Sequence, residues 1–130
     1  MGYGMTVICK NCGNEETYML GIGMMYSSLN AVLDLVVPKK KRDHIREILE
    51  SCELPETEYE YKLYACPECN TLHERFYISI CERGNTVYES KFRCGKCRSK
   101  LIEAKKDVSQ YNCAHCGAKS LRREAEIMWD

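Results

Sequence analysis

With 130 residues, ten cysteines and a formal net charge of zero, the chain has room for one ordinary domain or two very small ones. Two such halves could not bury much apolar surface, so each would need a metal or disulfide to fold. The balanced charge is not the strongly basic composition typical of nucleic-acid-binding domains, and no apolar run approaches the ~20 residues of a membrane span. The first nine residues contain no apolar signal-peptide core, so we expect a cytoplasmic protein.

Eight of the ten cysteines stand in four C-x-x-C pairs, a spacing typical of zinc sites. Each pair forms a tight turn, here called a knuckle, that presents two sulfurs on one side, and two facing knuckles complete a tetrahedron. The predicted ligands of two Zn²⁺ ions are Cys9, Cys12, Cys66, Cys69, Cys94, Cys97, Cys113 and Cys116. Four protein ligands leave no position for a substrate, so the pattern predicts structural metal. A tetrathiolate site also holds iron, which is the alternative metal.

The first half of the chain predicts two short strands followed by two helices. Residues 6–9 and 15–20 are strand-like and flank the first knuckle. Apolar residues then recur at helical spacing from Leu29 to Val36, after the N-cap candidates Ser27 and Ser28. Pro38 ends this helix and favours the start of a second one, which runs to about residue 52. We expect the apolar faces of both helices to cover the sheet beside the first knuckle.

The second half of the chain predicts strands. Residues 59–65 alternate between aromatic or apolar and charged side chains and lead into the second knuckle. Residues 72–81 and 86–93 form a predicted hairpin, with Gly84 and Asn85 at its turn. Residues 94–116 have the strand, turn, strand layout of a compact zinc ribbon, and residues 121–129 fit either a strand or a helix.

The order of the four knuckles leaves three pairings open. Chain-order pairing, which we favour, joins the first knuckle to the second and the third to the fourth. The predicted strand at residues 59–65 supports it by offering a partner to residues 6–9 and 15–20. Nested pairing joins the middle two and leaves the outermost two to meet, and a cross-brace would interleave them. The entropy of loop closure rises too slowly with length to exclude any of these.

Chain-order pairing predicts a small, metal-stabilised α+β protein with two zinc ribbons. The first ribbon would occupy residues 1–83 and contain a two-helix insertion at about residues 27–52. The second, more compact ribbon would occupy residues 84–130.

The whole chain resembles a loose group of small bacterial proteins with two zinc ribbons. The resemblance rests on a first C-x-x-C-G, a glycine and aromatic stretch, an aromatic strand into C-P-x-C, and a C-terminal ribbon ending in Trp-Asp. These motifs lie at residues 9–13, 21–26, 59–69, 94–117 and 129–130. The resemblance implies the double-ribbon fold and chain-order pairing, and it implies no activity. Asn70 and Arg98 depart from it, because a glycine often follows the second cysteine of a knuckle.

The functional hint in the sequence is a group of basic residues near the C-terminus, with Phe92 and Tyr111 as possible stacking surfaces. These candidate nucleic-acid contacts are Lys91, Arg93, Lys96, Arg98, Lys100, Lys105, Lys106, Lys119, Arg122 and Arg123. The plainer interpretation is that they offset thiolate charge and keep a small protein soluble.

Nothing in the sequence predicts catalysis. His44 and His73 have no serine and acid at the spacing of a hydrolytic triad, and His115 is expected to be a solvent-facing knuckle residue. Cys52 and Cys81 lie on predicted apolar faces, where a free cysteine behaves as a small hydrophobe. We therefore expect a non-enzymatic zinc protein that binds another protein as an adaptor. Nucleic-acid binding is the first alternative, and an iron-thiolate redox protein is the weaker one.

Overall fold

A computed structural model describes residues 2–22 and 29–129 of the chain. Within these ranges it shows a small α+β protein with antiparallel strands and two helices. The strands are β1 Gly2–Cys9, β2 Glu15–Leu20, β3 Glu56–Ala65, β4 Leu72–Glu82, β5 Asn85–Glu89, β6 Ile102–Glu103 and β7 Leu121–Trp129. The helices are α1 Leu29–Val36 and α2 Lys39–Ser51, and a 3₁₀ turn spans Val108–Gln110. The predicted caps Ser27 and Ser28 lie outside the described residues.

The strands form two antiparallel sheets. One sheet has the order β2-β1-β7, so the N-terminal and C-terminal strands pair with each other. The other has the order β5-β4-β3-β6. The tail whose sequence fitted either a strand or a helix is therefore a strand, and its partner is β1.

The hairpin between β4 and β5 is confirmed, but its turn consists of Arg83 and Gly84 and not of Gly84 and Asn85, because Asn85 already pairs with Glu82. Both turn residues have positive φ, 53° and 80°, as a tight turn that follows the twist of its strands requires. The predicted boundary between residues 83 and 84 falls inside this turn. The division into two domains stays a prediction.

The helices pack on the four-stranded sheet, so the expectation that they cover the sheet beside the first knuckle is wrong. Leu29, Leu33 and Ile45 lie against Ile78 and Ile80 of β4, and all five side chains are buried. Amphipathic helical spacing explains this contact, since both apolar stripes face one sheet. In the described ranges, neither helix is long and apolar enough to cross a membrane.

A second apolar cluster joins the two sheets. Met5, Val7 and Leu20 of the three-stranded sheet pack against Ala65 and Leu72 of the other. Val108 and Tyr111 complete the cluster. The Tyr111 phenol oxygen accepts a hydrogen bond of 2.8 Å from the backbone N–H of Lys105, which ties the segment before the fourth knuckle to this core.

Candidate metal centres

All four knuckles share one backbone geometry. In the first, the N–H of Cys9 donates to the carbonyl of Asn14 and the N–H of Gly13 donates to the carbonyl of Cys9, both at 2.9 Å. The same two bonds recur at Cys66 with Thr71 and Asn70, at Cys94 with Ser99 and Arg98, and at Cys113 with Ala118 and Gly117. Each C-x-x-C sequence is therefore held in a turn that directs its two sulfurs to one side.

The residue after each second cysteine has a left-handed backbone. Gly13 and Gly117 have φ of 75° and 80°, and Asn70 and Arg98 have φ of 57° and 60°. Asparagine and glycine adopt this conformation readily, whereas arginine does so at a cost. The Arg93 guanidinium donates a 2.9 Å hydrogen bond to the carbonyl of Arg98 and so stabilises the third knuckle.

The outermost knuckles form one cluster of four cysteines, here called the outer cluster: Cys9, Cys12, Cys113 and Cys116. Their sulfurs all lie within 4.8 Å of one another. The Cys9–Cys116 and Cys12–Cys113 sulfur distances are 3.5 and 3.7 Å. A tetrahedron with metal–sulfur bonds of about 2.3 Å has edges of about 3.8 Å. The outer cluster therefore has the size of a tetrathiolate metal site.

The middle knuckles form the inner cluster: Cys66, Cys69, Cys94 and Cys97. Its sulfurs also lie within 4.8 Å of one another, and the Cys69–Cys94 distance is 3.7 Å. Cys66 and Cys94 are buried with Tyr64 and Leu101, whereas Cys97 is exposed. The inner cluster thus contacts the hydrophobic core on one side and solvent on the other.

The chain-order pairing predicted from the sequence is wrong, and the nested alternative is the arrangement seen. Pairing of β1 with β7 aligns Cys9 with Leu121 and so brings the first knuckle to the fourth. Pairing of β3 with β6 aligns Ala65 with Ile102 and brings the second knuckle to the third. The strand ends decide which knuckles meet.

This pairing removes both predicted ribbons. The ribbon expected from residues 94–116 does not form, since its two knuckles belong to different clusters. The helices do lie between the first two knuckles in sequence, but those knuckles do not share a metal site. A helical insertion within a first ribbon is therefore not confirmed.

Hydroxyl groups contact one sulfur in each cluster. Ser120 Oγ lies 3.2 Å from Cys9 Sγ, and this hydrogen bond is the main reason that the pKa of Cys9 is lowered to about 6. Thr71 Oγ1 lies 3.1 Å from Cys69 Sγ and likewise lowers the pKa of Cys69 to about 6. The pKa of Cys97 is raised to about 12, mainly by its hydrogen bond to Cys69 and secondly by loss of solvation. A metal that binds all four sulfurs must displace protons, so its affinity rises with pH.

Sequence reasoning missed these hydroxyl contacts, although both residues stand shortly after the second cysteine of a knuckle. It also missed the link between the clusters. The backbone N–H of Asn112 donates to the carbonyl of Asn70 at 2.7 Å, and its side-chain amide donates to the carbonyl of Cys69 at 3.2 Å. Asn70 in turn donates to the carbonyl of Gln110 at 2.7 Å. The second and fourth knuckles, one from each cluster, are therefore tied together.

The histidines are not among the clustered ligands. His73 Nε2 lies 2.9 Å from Thr71 Oγ1 and 4.0 Å from Cys94 Sγ, so it lines the inner cluster from outside. Burial lowers the pKa of His73. His115 is exposed, and its backbone N–H donates to Cys113 Sγ at 3.3 Å. Cys52 and Cys81 lie outside both clusters and are partly buried.

The ten basic candidates separate into groups. Lys91, Arg93 and Lys100 line one cleft together. Lys105, Lys106 and Arg123 line another cleft, between the two sheets, which also contains glutamates. The remaining four, Lys96, Arg98, Lys119 and Arg122, are exposed at or after the third and fourth knuckles, and Arg122 pairs with Glu124 at 2.8 Å.

Fold and site together define a small α+β protein with two four-cysteine clusters that could hold metal ions. Comparison with protein-family models, with curated proteins and with solved structures finds no match to the chain. The resemblance to double zinc-ribbon proteins is supported only as far as the two clusters go.

Proposed function

We propose that this protein is a non-enzymatic zinc protein in which each cluster binds one structural Zn²⁺ ion and the folded chain serves as a binding module. The observation that carries the proposal is the size of the two four-cysteine clusters. Their sulfur–sulfur distances of 3.5 to 3.7 Å are close to the edge length of a zinc tetrathiolate tetrahedron. A metal bound by four protein sulfurs has no open position for a substrate, which favours a structural role. All ten cysteines are free, so a reducing compartment such as the cytoplasm is part of the proposal.

Metal analysis of the purified protein tests this proposal. The expected result is two zinc ions per chain, a colourless solution, and loss of folded structure when a strong chelator removes the metal. Visible absorption from thiolate-bound iron, with iron in place of zinc, would contradict the zinc assignment. Retention of the native near-ultraviolet circular dichroism after complete metal removal would contradict the structural role.

Two partner classes remain proposals. A protein partner is the first expectation from the sequence. Among the side chains that the structure describes, the large exposed apolar residues come from six different segments: Tyr3, Met19, Leu35, Leu54, Val87 and Ile102. A nucleic acid is favoured by a more specific observation, the grouping of Lys91, Arg93 and Lys100 in one cleft with two cations from elsewhere in the chain. Quantitative binding of labelled single-stranded and duplex oligonucleotides over a range of salt distinguishes the two.

A further inference from the structure

A cleft of about 410 Å³ beside the inner cluster is lined by five cations and one aromatic ring. These residues, here called the Phe92 cleft, are Lys41, Arg75, Lys91, Phe92, Arg93 and Lys100. The lining contains no carboxylate. Within residues 2–22 and 29–129, none of the five cations forms an ion pair with an acidic side chain. The cleft is therefore a local concentration of positive charge on a chain that is neutral overall.

The five cations come from three parts of the chain. Lys41 belongs to α2, Arg75 to β4, and the other three to the segment that leads into and out of the third knuckle. Lys41 and Arg75 are distant in sequence from the basic group at the C-terminus. Folding thus assembles a cluster of charge that the linear sequence does not display.

Two of these cations lie directly opposite each other. Arg93 and Lys100 are partners in an antiparallel β-bridge. Like charges at such positions destabilise a sheet unless a counter-charge is near. The Arg93 guanidinium is held in place by its hydrogen bond to the carbonyl of Arg98. The pair therefore presents fixed positive charge to the cleft, and the inner-cluster thiolates of Cys94 and Cys97, which lie between these two residues in sequence, offset part of it.

The start of α2 shows the same conflict. Its first four residues are Lys39, Lys40, Lys41 and Arg42, with no acidic residue in the first turn. Cations at this end of a helix are unfavourable because the helix dipole is positive there. Both elements thus place cations on one cleft, Lys41 from α2 and the Arg93–Lys100 pair, and this arrangement suits the binding of an anion.

Phe92 adds an aromatic surface to the anion site. Its partly buried ring packs against Tyr64 with a centroid distance of 5.3 Å and a T-shaped geometry. Lys41 Nζ lies over the ring, 5.8 Å from its centre. A planar group that replaced the flexible Lys41 side chain would stack on Phe92 while the lysine moved to a phosphate. Base stacking on aromatic side chains beside a basic groove is the usual means of binding single strands.

We propose that the Phe92 cleft binds single-stranded nucleic acid, with phosphates on its lysines and arginines and one base stacked on Phe92. This deepens the nucleic-acid alternative of the proposed function and requires the zinc-stabilised fold. A single strand is favoured over a duplex because only an unstacked base can reach the ring. Glu89 and Glu103 line the adjoining cleft, which shares Lys91 and Lys100, so the strand should run from Phe92 towards α2 and away from these carboxylates.

The test measures fluorescence anisotropy of a labelled oligothymidylate with the zinc-loaded full chain over a range of salt. The double variant Lys91→Ala/Lys100→Ala should bind more weakly and lower the slope of log affinity against log salt by about 1.4, since each phosphate contact to a single strand contributes about 0.7. The matched control Lys105→Ala/Lys106→Ala removes the same charge outside the cleft. Its slope should stay close to that of the wild type. Phe92→Leu should weaken binding about five- to hundredfold with little change in slope.

Several outcomes would overturn the proposal. These are absence of binding at low salt, equal losses in the two lysine double variants, and equal competition by inorganic polyphosphate or by phosphatidylserine vesicles. Phe92→Tyr keeps an aromatic ring and should bind like the wild type even if Phe92→Leu loses zinc. If the protein holds two zinc ions but binds no oligonucleotide, the cleft proposal is wrong and the zinc proposal stands. If the purified protein holds no zinc, the zinc proposal is wrong.

Discussion

The inner and outer clusters use the same knuckle geometry but close very different lengths of chain. The inner cluster spans 24 residues between Cys69 and Cys94, and the outer one spans 100 residues between Cys12 and Cys113. This difference costs the outer cluster only about 1.3 kcal/mol in loop-closure entropy. The small cost explains why cysteine spacing alone could not predict the pairing and why strand pairing decides it.

The two clusters also differ in the strands and hydrogen bonds that hold them in place. The inner one lies at the ends of β3 and β4, whose ten-residue register makes the longest strand pair of the described chain. The outer one needs the two chain ends to meet, and its fourth knuckle is attached to the second through Asn112. We therefore expect the outer cluster to depend on the inner cluster more than the reverse.

The largest expected effect comes from removing one buried ligand of each cluster. Cys66→Ser should abolish both metal sites, because it removes the structure that anchors the fourth knuckle. Cys9→Ser should leave one zinc ion in the inner cluster. Structural zinc contributes roughly 10 to 16 kcal/mol of apparent binding energy, so each loss should be visible as unfolding of the affected part. Zinc content and hydrogen exchange of each variant measure this.

Cys81→Ser is the matched control, since Cys81 lies outside both clusters. It should retain two zinc ions. If Cys9→Ser instead lost both ions and Cys66→Ser retained one, the order of dependence would be reversed.

A smaller effect is expected at the link between the clusters. Asn112→Ala removes the side-chain hydrogen bond to the carbonyl of Cys69 and should lower the free energy of unfolding by about 1 kcal/mol. Metal competition should show weaker binding at the outer cluster and little change at the inner one. Asn30→Ala, at an exposed position of α1, is the control and should be nearly neutral. Equal weakening at both clusters would show that Asn112 does not act through the fourth knuckle.

The smallest effects concern the residue after each second cysteine. Gly117 has φ of 80° and open space where a Cβ would lie, so Gly117→Ala should cost about 1 kcal/mol from backbone strain alone. Arg98→Gly relieves the same strain and should stabilise the third knuckle by less than that amount, because glycine loses more entropy on folding. Chemical denaturation of the zinc-loaded variants measures both. A destabilising Arg98→Gly would mean that the arginine side chain makes a needed contact.

Local patterns in the sequence predicted most of the elements. Helical spacing gave the two helices around Pro38, and Gly84 located the turn of the β4–β5 hairpin. The strand character of residues 121–129 remained ambiguous, and this strand is what carries the first knuckle to the fourth. A strand at these positions gives β1 a partner and thereby favours nested pairing.

The cation cleft could not be predicted from the sequence because two of its five charges are far from the rest along the chain. The sequence places Lys41 in a predicted helix and Arg75 in a predicted hairpin. Only the folded chain brings both residues close to Phe92. Conversely, the basic residues near the C-terminus form one group in the sequence, whereas folding divides them between two clefts and the knuckles.

The nested pairing of the knuckles is the central claim, and through-bond proton–cadmium correlation NMR of the cadmium-substituted protein tests it most directly. One cadmium resonance should correlate with the β-protons of Cys9, Cys12, Cys113 and Cys116, and the other with those of Cys66, Cys69, Cys94 and Cys97. A resonance that correlates with both Cys12 and Cys66 would contradict the account.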